Sequence, residues 1–84
     1  MAKLLEKPEA LRVTANIEGT PLTVSRNGKA ERVNRIYQQW QVSEQLFEQE
    51  NLKSYFRVRT SKGLIYDIYR DTASNSWFLG RICE

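Results

Sequence analysis

The stretch from Tyr55 to Ile82 constrains this chain more than any other. It reads Tyr-Phe-Arg-Val-Arg-Thr, then Ser-Lys-Gly, then Leu-Ile-Tyr-Asp-Ile-Tyr-Arg-Asp, then a polar gap, then Trp-Phe-Leu-Gly-Arg-Ile. Short segments rich in aromatic and branched residues alternate with turn residues, the pattern of a three-stranded antiparallel meander. A register follows from the first turn. If Ser61, Lys62 and Gly63 form the loop, with Gly63 left-handed, Thr60 faces Leu64, Val58 faces Tyr66 and Phe56 faces Ile68. A two-residue Lys62-Gly63 turn would set Arg59 against Tyr66 and Arg57 against Ile68. A one-residue slip exchanges the two faces, so the longer loop is preferred. Phe56, Val58, Tyr66 and Ile68 then point inward together. Tyr55, Arg57 and Arg59 share the other face with Ile65, Asp67 and Tyr69. The last strand is apolar on both sides, since Trp77 and Leu79 alternate with Phe78 and Ile82. A strand of that kind is covered on both faces, which implies a sheet curled onto itself.

Upstream, Leu11, Val13, Ala15 and Ile17 alternate with polar residues, which predicts a half-buried strand. Gly19-Thr20-Pro21 is a turn, and Leu22 and Val24 mark a second strand. Asn27-Gly28 then signals a tight hairpin, because both central residues of a type I′ turn need positive φ. The return segment is ambiguous. Val33, Ile36, Tyr37 and Trp40 fit a helical spacing, whereas a strand needs one β-bulge near Asn34-Arg35 to bring them together. The hairpin favours the bulged strand. Ser43 to Lys53 has helix formers and a capping serine, and reads as two helical turns or an irregular connection. Leu46, Phe47 and Leu52 are its candidates for docking on the sheet. Residues 1–10 read as a flexible leader interrupted by Pro8. The expected fold is therefore one small, mostly β domain over 11–84. It has about five antiparallel strands in a curled, partly open SH3-like barrel, and at most one short helix near 43–52.

Composition narrows function by exclusion. The chain has 84 residues, no histidine and one cysteine, Cys83. That removes histidine acid–base chemistry and an intrachain disulfide, and leaves no ligand set for a structural zinc. No metal and no cofactor are expected. Asp67 and Asp71 are the only acids of the meander. Asp71 is explained as a turn residue and Asp67 as the ion-pair partner of Arg57 across the strand pair. No catalytic residue stands out, so a non-enzymatic protein is expected. No apolar run approaches the ~20 residues of a membrane helix. The opening Met-Ala-Lys-Leu-Leu-Glu-Lys-Pro lacks the apolar core of a signal peptide, so a cytoplasmic location is expected.

Several residues outline a candidate nucleic-acid surface: Tyr55, Arg57, Arg59 and Tyr69, with Lys62 and Arg70 at the rim. Arginines neutralise phosphates while aromatic rings stack on bases. The bland alternative is an aromatic rim covered by solvated arginine stems. Arg26, Lys29, Arg32 and Arg35 cluster at the Asn-Gly hairpin, either as an extension of that stripe or as charges that guard an edge. The net charge of +3 is compatible with a polyanion and with no anionic partner at all. A module that binds another protein through a strand edge or the 43–52 segment is the alternative.

The chain also resembles a small bacterial family encoded beside, or fused to, subunits of Y-family translesion DNA polymerases. The likeness rests on Pro21, Gly28, Val33, Ile36, Trp40, Tyr55 to Thr60, Tyr66 to Asp71 and Trp77 to Ile82. It is specific in the last thirty residues, loose before Val33 and has no counterpart for 43–53. The resemblance implies an accessory module in DNA-damage tolerance that touches nucleic acid or a polymerase subunit. It implies no active site.

Overall fold

The computed structural model describes the backbone at residues 2–46 and 49–83, and the side chains at 8–45 and 51–83. Six strands run through them: β1 (Ala2–Ala15), β2 (Pro21–Arg26), β3 (Lys29–Leu46), β4 (Gln49–Thr60), β5 (Ile65–Asp71) and β6 (Ser76–Cys83). Each pairs antiparallel with its neighbour in sequence, and β1 pairs with β6 to close a small barrel. Two sheets share the long strands. β1 meets β6 through residues 2–11 and β2 through 12–15. β3 meets β2 through 29–32 and β4 from Val33 onward.

The expected small antiparallel barrel is found, with three adjustments. It has six strands rather than about five, and it closes. The segment after Asn27-Gly28 is strand, as the hairpin favours, but its register shifts twice, between Val33 and Arg35 and again between Ile36 and Gln38, where one bulge is expected. These irregularities let a helix-like spacing of Val33 and Ile36 serve one strand face, with both packed on the core. Residues 43–46 and 49–52 are strand as well, and together they lengthen the β3–β4 hairpin. Cross-strand pairing overrides their helical propensity. The Leu46 and Phe47 side chains lie outside the described residues. Residues 2–10, read from the sequence as a leader, belong to β1. Its register breaks between Leu4 and Glu9, the interval that contains Pro8. A proline cannot donate to a ladder, so it sits where pairing is interrupted.

The turns follow their residues. Asn27 and Gly28 have φ of 53° and 78°, as a type I′ turn requires. Gly63 has φ of 80°; its N–H donates to the Thr60 carbonyl at 2.9 Å, and the Thr60 N–H donates to the Leu64 carbonyl at 2.9 Å. That three-residue loop sets Val58 against Tyr66 and Phe56 against Ile68, as expected. The turn between β1 and β2 differs. The Asn16 side chain accepts hydrogen bonds from the Glu18 and Thr20 amides, which ends β1 at Ala15. Ile17 therefore leaves the strand face and is fully exposed at 104%.

The interior holds Val24, Phe56, Val58, Tyr66, Ile68 and Leu79, with Leu11, Val13, Val33, Ile36, Trp77 and Ile82 packed around them. Phe56 and Trp77 rings lie 5.7 Å apart. Two polar residues share this interior. Glu31 is buried opposite Val24 and accepts a hydrogen bond from the Thr60 hydroxyl at 2.6 Å. Burial pushes the Tyr66 hydroxyl above its ordinary pKa; the Glu31 charge adds to that, and Arg26 opposes it. Tyr66 ionises later in the folded chain than in the unfolded chain. Its contribution to stability is complete below the ordinary value of about 10 and is lost as pH rises through the folded value. Urea titrations across that range should show stability falling with pH. The fall should be shallower in Tyr66→Phe, and equal slopes would contradict the burial of this hydroxyl.

Candidate nucleic-acid interface

The outer face of the main sheet is organised in rows, because residues directly opposite in register share a face. The first row contains Arg35, Arg59, Ile65 and Cys83. The second contains Gln38, Arg57, Asp67 and Arg81. The third contains Trp40, Tyr55, Tyr69 and Phe78. The fourth begins with Val42 and Lys53.

The third row is a ladder of rings. Centroid separations are 5.3 Å from Trp40 to Tyr55, 4.8 Å from Tyr55 to Tyr69 and 5.3 Å from Tyr69 to Phe78. Interplanar angles of 12°, 31° and 28° make these near-parallel contacts. The middle rings, Tyr55 and Tyr69, each have an aromatic neighbour on both sides. The Lys53 ammonium lies 5.4 Å from the Tyr69 centroid. Gly80 passes so close that an added Cβ would lie 3.5 Å from the Tyr69 ring. Tyr69 is consequently only 6% exposed, although it lies on the outer face. Its hydroxyl pKa is raised, chiefly by burial. The faces of Tyr55 and Tyr69 are engaged with one another and with their neighbours, so stacking on bases would require the ladder to open. This changes the role expected for both tyrosines.

The second row commits Arg57. Its Nε donates to Asp67 Oδ1 at 2.7 Å and its Nη2 to Oδ2 at 3.0 Å. Nη1 donates to Gln38 Oε1 at 3.2 Å. The guanidinium carbon is also 5.8 Å from the Trp40 centroid. The Asp67 side chain is 6% exposed and that of Arg57 is 32% exposed, so a largely buried carboxylate depends on this one arginine. The Arg57–Asp67 pair was foreseen from the register. Its consequence is that Arg57 is occupied and supplies no free charge to a phosphate.

The first row has no such compensation. Arg35 and Arg59 are paired directly across β3 and β4, and both are exposed. Like charges facing each other across a strand pair are destabilising. Arg35 lies over the Tyr37 ring at 4.9 Å, which offsets part of that cost. The turn that carries Lys62 docks nearby: the Ser61 N–H donates to the Arg32 carbonyl at 2.8 Å, and the Arg32 N–H to Ser61 Oγ at 3.3 Å. Among the described residues, none of Arg32, Arg35, Arg59 and Lys62 forms an ion pair, whereas Arg26 pairs with Glu9, Lys53 with Glu44 and Arg57 with Asp67.

Arg70 departs from the expected surface. It pairs with Trp77 and Ser54, on the strand face opposite to Tyr69. There it lines a concavity of about 410 Å³ with Val13, Asn16, Ile17, Asn75 and Trp77, and Nη1 is 3.5 Å from Asn75 Oδ1. Of the six residues marked in the sequence, the structure thus keeps Arg59 and Lys62 exposed and uncompensated. It holds Tyr55, Tyr69 and Arg57 in internal contacts and moves Arg70 elsewhere. Arg35 joins Arg59 only through the β3–β4 register. Sequence reading grouped Arg35 with the Asn-Gly hairpin because the register shift between Ile36 and Gln38, which sets its partner on β4, cannot be read from the residues.

Comparison with protein-family models, curated proteins and solved structures found no match to this chain.

Proposed function

We propose that the protein is a non-enzymatic module that binds nucleic acid through the phosphate backbone. Arg35 and Arg59 provide the central contacts, and Lys62 and Arg32 flank them. The observation that carries the proposal is the cross-strand Arg35–Arg59 pair, which repels itself and forms no ion pair among the described residues. An anionic ligand would relieve that repulsion, and phosphates spaced along a strand suit guanidinium groups on adjacent strands. The aromatic ladder supports the reading differently from a base-stacking platform: it braces the sheet beside the cations. Read this way, binding is largely independent of sequence, since contacts to phosphates position a ligand without reading its bases.

The barrel is taken as SH3-like in kind, two sheets sharing bent strands around one core. The likeness to proteins encoded beside translesion polymerases supports a setting in DNA-damage tolerance, with a cytoplasmic location. The second reading is a protein-interaction module, and the free edge of β3 favours it. That reading predicts no affinity for oligonucleotides.

The test is anisotropy titration of labelled single- and double-stranded oligonucleotides at several salt concentrations. Log affinity should fall linearly with log salt, by about 0.7–0.9 for each phosphate engaged. Arg35→Gln with Arg59→Gln should weaken binding by roughly tenfold or more and flatten the slope by about 1.4–1.8, the share of two phosphates. Both substitutions are at exposed positions, so the fold should persist. An unchanged slope in a folded double variant would overturn the assignment of these two arginines.

A further inference from the structure

We propose that the edge of β3 around Gln41 is a homodimer interface, in which two copies pair antiparallel with Gln41 opposite Gln41. The inference is independent of nucleic-acid binding. From Val33 onward β3 pairs with β4 alone, because β2 meets β3 only through residues 29–32. Over residues 38–42 its other side presents a row of backbone donors and acceptors with no strand among the described residues to receive them. The remaining exposed edge, β1 over residues 2–11, carries Pro8 and a register break between Leu4 and Glu9, which obstruct pairing. β3 has such protection only at its beginning, where the register shifts as far as Gln38. From Gln38 to Val42 the strand is regular, contains no proline and carries no charge.

Self-complementarity identifies the occupant as a second copy. Pairing about Gln41 puts Trp40 of each chain opposite Val42 of the other, on the outer face, where both residues are half-buried in the single chain. Aromatic and β-branched residues are favourable cross-strand partners. Trp40 is also the last ring of the aromatic ladder on this side, stacked on Tyr55 and followed by no further strand. A second copy would continue that row across the dimer axis. The same register puts Gln38 opposite Glu44, so no like charges meet. Each two-fold contact is isologous, as a closed dimer requires.

Analytical ultracentrifugation of the full chain tests the proposal. A concentration-dependent dimer is expected, and a monomer at every concentration up to about 1 mM would overturn it. Gln41 faces itself across the axis, so Gln41→Lys should weaken the dimer by roughly tenfold or more. Mixing Gln41→Lys with Gln41→Glu should restore a dimer composed of one copy of each. A wild-type dimer that Gln41→Lys leaves intact, or a mixture that stays monomeric, would overturn the pairing. Should the charged variants not fold, Gln41→Cys in a Cys83→Ser background gives the same reading. Oxidation should link the two chains through residue 41, because directly opposed residues lie within disulfide reach. Failure to link would overturn the proposal.

Discussion

Phe56→Ala should lower the stability of the protein by about 3–5 kcal/mol. Phe56 is 3% exposed, faces Ile68 across β4 and β5, and packs its ring 5.7 Å from Trp77. Truncation removes the transfer energy of the ring and leaves a cavity between sheets that share their strands, so the walls cannot collapse independently. A chain this small has little reserve, because native proteins are stable by only about 5–15 kcal/mol in all. For a domain of this size each kcal/mol corresponds to roughly 4–8 °C in melting temperature, so a fall of at least 12 °C is expected. Thermal melts followed by circular dichroism would check it. A loss of less than about 1 kcal/mol would mean that Phe56 is not at the centre of the core.

Arg57→Glu should be nearly as damaging, for an electrostatic reason. It replaces a bidentate donor with a carboxylate that faces Asp67, whose side chain is 6% exposed. Removing one partner of a buried pair leaves the other charge uncompensated and costs about 3–5 kcal/mol. Replacing both residues, Arg57→Gln with Asp67→Asn, removes the unpaired charge, and stability should largely return. A double-mutant cycle in urea should give a coupling of about 3 kcal/mol, the upper end for residues in contact. Additive single effects would contradict the pairing. Weak oligonucleotide binding by Arg57→Glu would report a disrupted sheet, whereas Arg35 and Arg59 can be changed with little effect on packing.

What was legible in the sequence was whatever short-range chemistry determines. Gly63 set the β4–β5 loop, and the loop set the pairs Val58–Tyr66, Phe56–Ile68 and Arg57–Asp67. Asn27-Gly28 set the β2–β3 turn. The misreadings fall where a distant strand decides the outcome. Residues 2–10 become strand because β6 offers them a partner, and Ser43–Leu46 because Gln49–Leu52 does. Ile17 alternates correctly with Leu11 and Val13, yet the Asn16 side chain turns the chain before it can enter the core.

The candidate site divides along the same line. Sequence placed Tyr55 and Tyr69 on one face but could not show that their rings occupy one another. It assigned Arg57 to Asp67 yet still offered Arg57 to a phosphate. Arg35 and Arg59 are 24 positions apart in the chain, and only the β3–β4 register, shifted between Ile36 and Gln38, makes them neighbours.

The most direct measurement is backbone amide shift mapping during titration with a single-stranded oligonucleotide at low salt. Perturbations should concentrate at Arg32, Arg35, Arg59 and Lys62, and the amides of Tyr55 and Tyr69 should move little. Shifts centred on the aromatic ladder, or no shifts at any position, would contradict the binding mode argued here.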